Sequence, residues 1–135
     1  MKPQAKEWIE KAEEDLQAAK RLIRGRKPLY NLVCFHAQQS AEKYLKAFLE
    51  EKGFSIPRTH DLVALINIAQ PELNFLLLQK DDLERITGYA VAFRYPGESA
   101  TRKEAKQALE ICSDLGKWIQ PKLIQKNKQN TSSHK

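Results

Sequence analysis

Long apolar runs are missing from this 135-residue sequence, and with them any membrane span: no stretch approaches the roughly 20 apolar residues that a spanning helix needs. The charged N-terminus (Met1-Lys2-Pro3-Gln4-Ala5-Lys6-Glu7) lacks an apolar segment as well, so no signal peptide is expected. Cysteine is scarce. Cys34 and Cys112 are the only two, and both fall on apolar positions of helical patterns. They read as reduced core thiols of a cytoplasmic protein rather than as a disulfide or metal pair. With no CxxC and no His/Cys cluster, neither a metal nor a cofactor is expected. Only five glycines occur, and the phosphate-cradling patterns GxxxxGK(S/T) and GxGxxG are absent, as are GxSxG, HExxH and DxD. No run alternates with period two for long enough to make a strand.

What remains is a single domain of ordinary globular composition, 41% apolar and 30% charged. That length buries a core without staples, roughly two-thirds of the chain's surface. The net charge is +6, and no acid follows Asp114, whereas Lys122, Lys126, Lys128 and Lys135 do. The charge permits an anionic partner without demanding one.

Helical periodicity runs throughout. A first helix is predicted from Pro3 to Arg24, with Trp8, Ala12, Leu16, Ala19 and Ile23 recurring at three- or four-residue spacing and Gly25 as its stop. A second spans Leu29 to Lys52 and ends at Gly53. A third opens with Thr59 as N-cap and Asp61 in its first turn, burying Leu62, Leu65, Ile66 and Ala69. A fourth runs from Asp81 to Phe93, and Arg94-Tyr95-Pro96-Gly97 breaks it. Thr101-Arg102-Lys103-Glu104 is a capping box that opens a fifth helix, with Ala105, Ala108, Leu109, Cys112, Leu115 and Trp118 or Ile119 facing inward. The fold class is therefore all-α: an antiparallel bundle of about five helices over residues 1–122, followed by a disordered basic tail over 123–135.

The second helix carries an anomaly. In Cys34-Phe35-His36-Ala37-Gln38-Gln39-Ser40-Ala41-Glu42-Lys43, polar side chains crowd a segment flanked by core material. At about 100° per residue, Cys34, Ala37, Ala41, Tyr44, Leu45 and Phe48 form the core face. His36, Gln39 and Lys43 form a stripe opposite it, while Gln38 and Glu42 sit at the core's edge. Leu32 and Phe35 lie near the His36 stripe, so apolar residues occupy two sides, as in a central or interfacial helix. The stripe reads either as a ligand-facing wall or as a solvated or dimer-interface face. His36 offers an imidazole donor for a phosphate, Lys43 supplies charge, and Gln39 matches a base edge or an amide. Gln38 and Glu42 read as bonds to a neighbouring helix.

Two further clusters stand out. Arg58-Thr59-His60-Asp61 straddles a helix start, where free N–H groups favour an anion and Arg58 and His60 add donors; plain capping explains the same residues. Arg94-Tyr95-Pro96-Gly97 joins a phosphate-matching guanidinium to a ring able to stack on a base. The alternative is a helix stop in which Tyr95 packs and Arg94 pairs with an acid such as Glu98.

Trp8, Ala12, Asp15 and Leu16, the run Cys34 to Ala47, Arg58-Thr59-His60-Asp61-Leu62 and Arg94-Tyr95-Pro96 occur here in one order. That combination resembles the HEPN domain family (higher eukaryotes and prokaryotes nucleotide-binding), over about residues 5 to 120. The resemblance implies an all-α bundle that often dimerises. It also implies a partner, since many prokaryotic members pair with a small nucleotidyltransferase, some as toxin–antitoxin modules in which the HEPN chain cleaves RNA. Ribonuclease-active members carry Arg, four to six residues, then His. From Arg94 those positions hold Ser99, Ala100 and Thr101, and from Arg85 they hold Ala90, Val91 and Ala92. The spacing is absent, which leaves two readings. One is a nucleotide- or RNA-binding module, with His36, Gln39, Lys43, Arg58, His60, Arg94 and Tyr95 in one cleft. The other is a metal-independent ribonuclease in which Arg94 holds phosphate and His36 or His60 acts as acid–base.

Overall fold

Pro3 stands at the first turn of α1 (Pro3–Leu22), where its missing N–H leaves no intrahelical bond unmade. Ala5, Ile9, Ala12 and Ala19 form its buried stripe. The protein is described here from a computed structural model that covers residues 1–133, with side chains through Ile124. From residue 125 onward the expected basic tail lies outside the described side chains. The predicted end of the first helix at Arg24 moves back to Leu22, and Gly25 follows in the left-handed region at φ 94°.

The central helix is α2 (Tyr30–Lys52), with fourteen of its 23 residues buried. Gly53 ends it at φ 82°, a conformation that carries no Cβ penalty for glycine. α1 packs along α2 in the opposite direction. The Lys2 amide donates to Glu51 at 2.8 Å, the Lys46 ammonium lies 5.6 Å from the centre of the Trp8 ring, and Lys43 reaches Asp15.

Asp61, not Thr59, caps α3 (Leu62–Ile68): its carboxylate accepts from the Ala64 amide at 3.2 Å. Thr59 instead accepts the Asp61 amide at 3.1 Å, an earlier turn that sets the carboxylate in place. A 3-10 segment (Asn74–Gln79) leads into α4 (Lys80–Thr87). The fourth helix is thus shorter than predicted. Gly88–Ala90 tightens to 3-10 geometry, and Phe93 takes a left-handed φ of 65°. The period continues to Phe93, but the backbone turns to return the chain to α2.

α5 (Arg102–Ser133) then runs beside α2 in the same direction. Near its start the Asn31 side chain accepts the Ala100 amide at 2.7 Å. Further along, Gly116 lies so close to Tyr44 that a β-carbon there would stand 2.5 Å from the ring. The capping box forms: Thr101 accepts the Glu104 amide at 3.1 Å, and Glu104 accepts the Thr101 amide at 2.9 Å. Ile119 faces inward and Trp118 outward, and Leu123 is still part of the core. Cys34 and Cys112 are buried free thiols, and burial pushes the Cys34 thiol up to about 12, with Glu104 adding to the effect. Among the described residues there is no strand, and no helix is long and apolar enough to cross a membrane.

Candidate functional site

Two carboxylates organise the polar segment of α2. Asp15, on α1, bridges two members of the predicted stripe: one oxygen lies 2.9 Å from His36 Nδ1, and the other accepts from Lys43 Nζ. The stripe is therefore not a solvated face. α1 covers it, His36 and Lys43 are half-buried, and their charges are answered locally. Phe35 stands edge-on to the His36 ring, with centroids 5.2 Å apart.

The second carboxylate, Glu42, is buried. Its Oε1 lies 2.8 Å from His60 Nδ1 and accepts Gln38 Nε2 at 3.1 Å, while its Oε2 accepts Lys46 Nζ at 2.9 Å. Gln38 also donates to the His60 carbonyl at 3.1 Å, which fastens the Arg58–Asp61 loop to α2. Burial alone raises the Glu42 carboxyl, but hydrogen bonds from Lys46, His60 and Gln38 outweigh it and hold the group below the usual carboxylate range. Gln39 donates to Gln38 at 2.7 Å. Gln38 and Glu42 thus bond their own helix and the loop before α3, not the neighbouring helix that their position at the core's edge implied.

Of the predicted site residues, His36 and Lys43 converge on Asp15, while Gln39 and His60 join the Glu42 network through Gln38 and directly. The backbone keeps exposed Arg58 two positions from His60. Arg94 and Tyr95 belong to neither network. Arg94 donates to the Ala90 carbonyl at 3.0 Å, closing its own turn rather than pairing with Glu98. Tyr95 is 75% exposed, so it does not pack. Asp15 and Lys46 join the two networks from outside the predicted set. The signal for Asp15 was present in an acid placed beside the Ala12–Leu16–Ala19 stripe of α1. Four shallow surface cavities are lined by other residues. Among the described residues, no group of three His, Cys, Asp or Glu side chains is placed to hold a metal ion.

Chemically, a carboxylate is acceptor-only, so it fixes the proton of each imidazole on Nδ1 and leaves Nε2 as an acceptor when the ring is neutral. His60 is the accessible one: its side chain is 59% exposed while its Glu42 partner is enclosed.

An all-α bundle built on a polar central helix, with two carboxylate-held histidines, defines the class. The HEPN domain model matches residues 5–123, and the chain belongs to the HEPN domain family. Two solved structures share the fold. The crystal structure of ST0689, an archaeal HEPN homologue, is 23% identical, with a TM-score of 0.71, covering 91% of this chain and 99% of that one. TT1696 from Thermus thermophilus is also 23% identical, with a TM-score of 0.74, covering 90% and 99%. No curated protein sequence matches the chain.

Proposed function

We propose that this HEPN chain is a binding module for a nucleotide or RNA and that it pairs with a small nucleotidyltransferase, in a toxin–antitoxin module. The observation that carries the binding reading is the grip of buried Glu42 on His60 Nδ1. It presents an oriented imidazole at the surface, two residues from the exposed Arg58 guanidinium. Neutral His60 accepts from a ribose hydroxyl or a base amino group; protonated, it donates to phosphate. Arg58 supplies charge for the same anion. His36, Gln39 and Lys43 support the band from the α1 side, and Arg94 and Tyr95 are further contacts. Calorimetry with nucleoside triphosphates and with single-stranded RNA tests this. Binding should fall at least tenfold in Arg58→Ala/His60→Ala, and unchanged affinity in that folded variant removes the band as the site. Co-purification with the product of an adjacent small nucleotidyltransferase gene, and a dimeric sedimentation mass, test the assembly.

A second reading is favoured by the same dyad. A buried carboxylate that orients a histidine is the arrangement a general base needs. As a metal-independent ribonuclease, the chain would use His60, or His36, for the 2′-OH proton and Arg94 for phosphate charge. RNA cleavage in EDTA that disappears in His60→Ala and in His36→Ala/Arg94→Ala would support it. Intact RNA after incubation with the folded wild type would exclude it.

A further inference from the structure

Trp118 on α5 and Phe75 on the 3-10 segment meet edge to face, with centroids 5.9 Å apart and planes at 73°. Both are open to solvent, at 41% and 36% exposure, although large aromatic side chains usually contribute to the core. The Lys122 ammonium lies 4.9 Å from the centre of the Phe75 ring, and Lys117 stands one residue before Trp118. These four residues and Pro121 line one shallow cavity of about 430 Å³, and no acid lines it. Glu72, three residues before Phe75, is engaged by Lys52 at 3.1 Å, and exposed Asp114 stands one turn before Trp118, outside the cavity lining. Beyond the cavity, the sequence adds Lys126, Lys128 and Lys135 with no Asp or Glu. An exposed aromatic pair flanked by cations, at the start of a chain segment of one charge sign, matches a polyanion that carries flat rings. A single strand offers both repeating phosphates and unstacked base faces, whereas duplex RNA keeps its base faces within the stack.

We infer that the Phe75–Trp118 pair with Lys117 and Lys122 is a contact site for single-stranded RNA: a base stacks on Trp118, and the flanking phosphates meet the two lysines. Stacking platforms beside basic side chains are how sequence-tolerant single-strand binders work. The site rests on the reading of the chain as an RNA binder and shares no residue with the histidine band. It therefore makes the band one of two contacts along a strand.

The test is fluorescence anisotropy of a labelled oligouridylate with the full chain across a salt series, with circular dichroism melts to confirm folding. Trp118→Ala should weaken binding about 5- to 150-fold, the range for loss of one base stack, and Trp118→Phe should restore most of it. Lys117→Ala/Lys122→Ala should flatten the slope of log affinity against log salt by about 1.4, or about 0.7 per phosphate contact. Wild-type affinity in the folded Trp118→Ala and lysine variants overturns the site. If only Arg58→Ala/His60→Ala loses binding, the site falls and the histidine band stands. If only the Trp118 and lysine variants lose binding, the site stands and the band falls as an RNA contact. No binding by the wild type overturns the site, and the band is then decided by nucleotide calorimetry. A change in sedimentation mass in Trp118→Ala, with unchanged RNA affinity, marks a protein interface and also overturns it.

Discussion

His60 Nδ1 lies 2.8 Å from Glu42 Oε1, and the same carboxylate holds Lys46 through its other oxygen at 2.9 Å. An exposed loop histidine and a buried helix lysine thus share one enclosed anion. Removing that anion leaves the Lys46 ammonium buried without its partner. Glu42→Ala should cost about 3 kcal/mol or more of unfolding free energy, read from urea denaturation. Glu42→Leu/Lys46→Met, which removes both charges, should recover much of the loss. A Glu42→Ala variant within about 0.5 kcal/mol of wild type, the scale of ordinary surface changes, would show that the pair contributes little.

The same network sets an acid limit. The folded-state pKa of Glu42 is held below its ordinary value of 4.5, so the folded protein binds fewer protons there than the unfolded chain does. The contribution of Glu42 to stability is complete above pH 4.5 and is lost as pH falls through its depressed folded value. Urea midpoints measured from about pH 6 down to about pH 3 should drop in the wild type and drop less steeply in Glu42→Gln. Parallel profiles would contradict this.

Helix α3 provides a sharper local test, because its cap is Asp61 and not the expected Thr59. Asp61→Ala removes the oxygen that accepts the Ala64 amide and should cost about 1 kcal/mol. Thr59→Ala removes only the acceptor of an exposed turn and should change stability by less than about 0.5 kcal/mol. The reverse order in thermal or chemical melts would return the cap to Thr59.

Gly116 has its own constraint. A methyl group there would overlap the Tyr44 ring at 2.5 Å, and both residues sit on long, packed helices. Gly116→Ala should cost about 1–3 kcal/mol through overpacking. In the Gly116→Ala/Tyr44→Leu double variant the two costs should fall well short of additive, since the smaller side chain vacates the contested space. Simple additivity would mean that the helices separate freely.

Much of the helical layout was legible in the residues themselves. The glycine stop at Gly53 and the Thr101–Glu104 box are local devices, and each appears where the pattern placed it, while of the predicted α1 stripe Ala12 and Ala19 are fully buried and Trp8, Leu16 and Ile23 only partly. The fourth helix overran its true end because periodicity continued to Phe93 while the backbone left the helix after Thr87. Trp118 and Ile119 were alternatives for the inward face, yet at about 100° per residue Ile119 lies on the Ala105–Leu115 stripe and Trp118 falls beside it. The packing of α5 on α2 follows that stripe, burying Ile119 and leaving Trp118 exposed.

The sequence by itself determined an all-α chain, the order of its helices and the crowding of polar groups in α2, because propensity, capping and 3.6-residue periodicity act within a few residues. The tertiary structure alone decided what those polar groups do. Asp15 comes from another helix to meet His36 and Lys43, Glu42 reaches across to His60, and Arg94 turns back on its own carbonyl. A buried polar side chain must find its partner wherever the fold brings one within hydrogen-bond reach, and that proximity is set by how helices pack, not by their spacing along the chain.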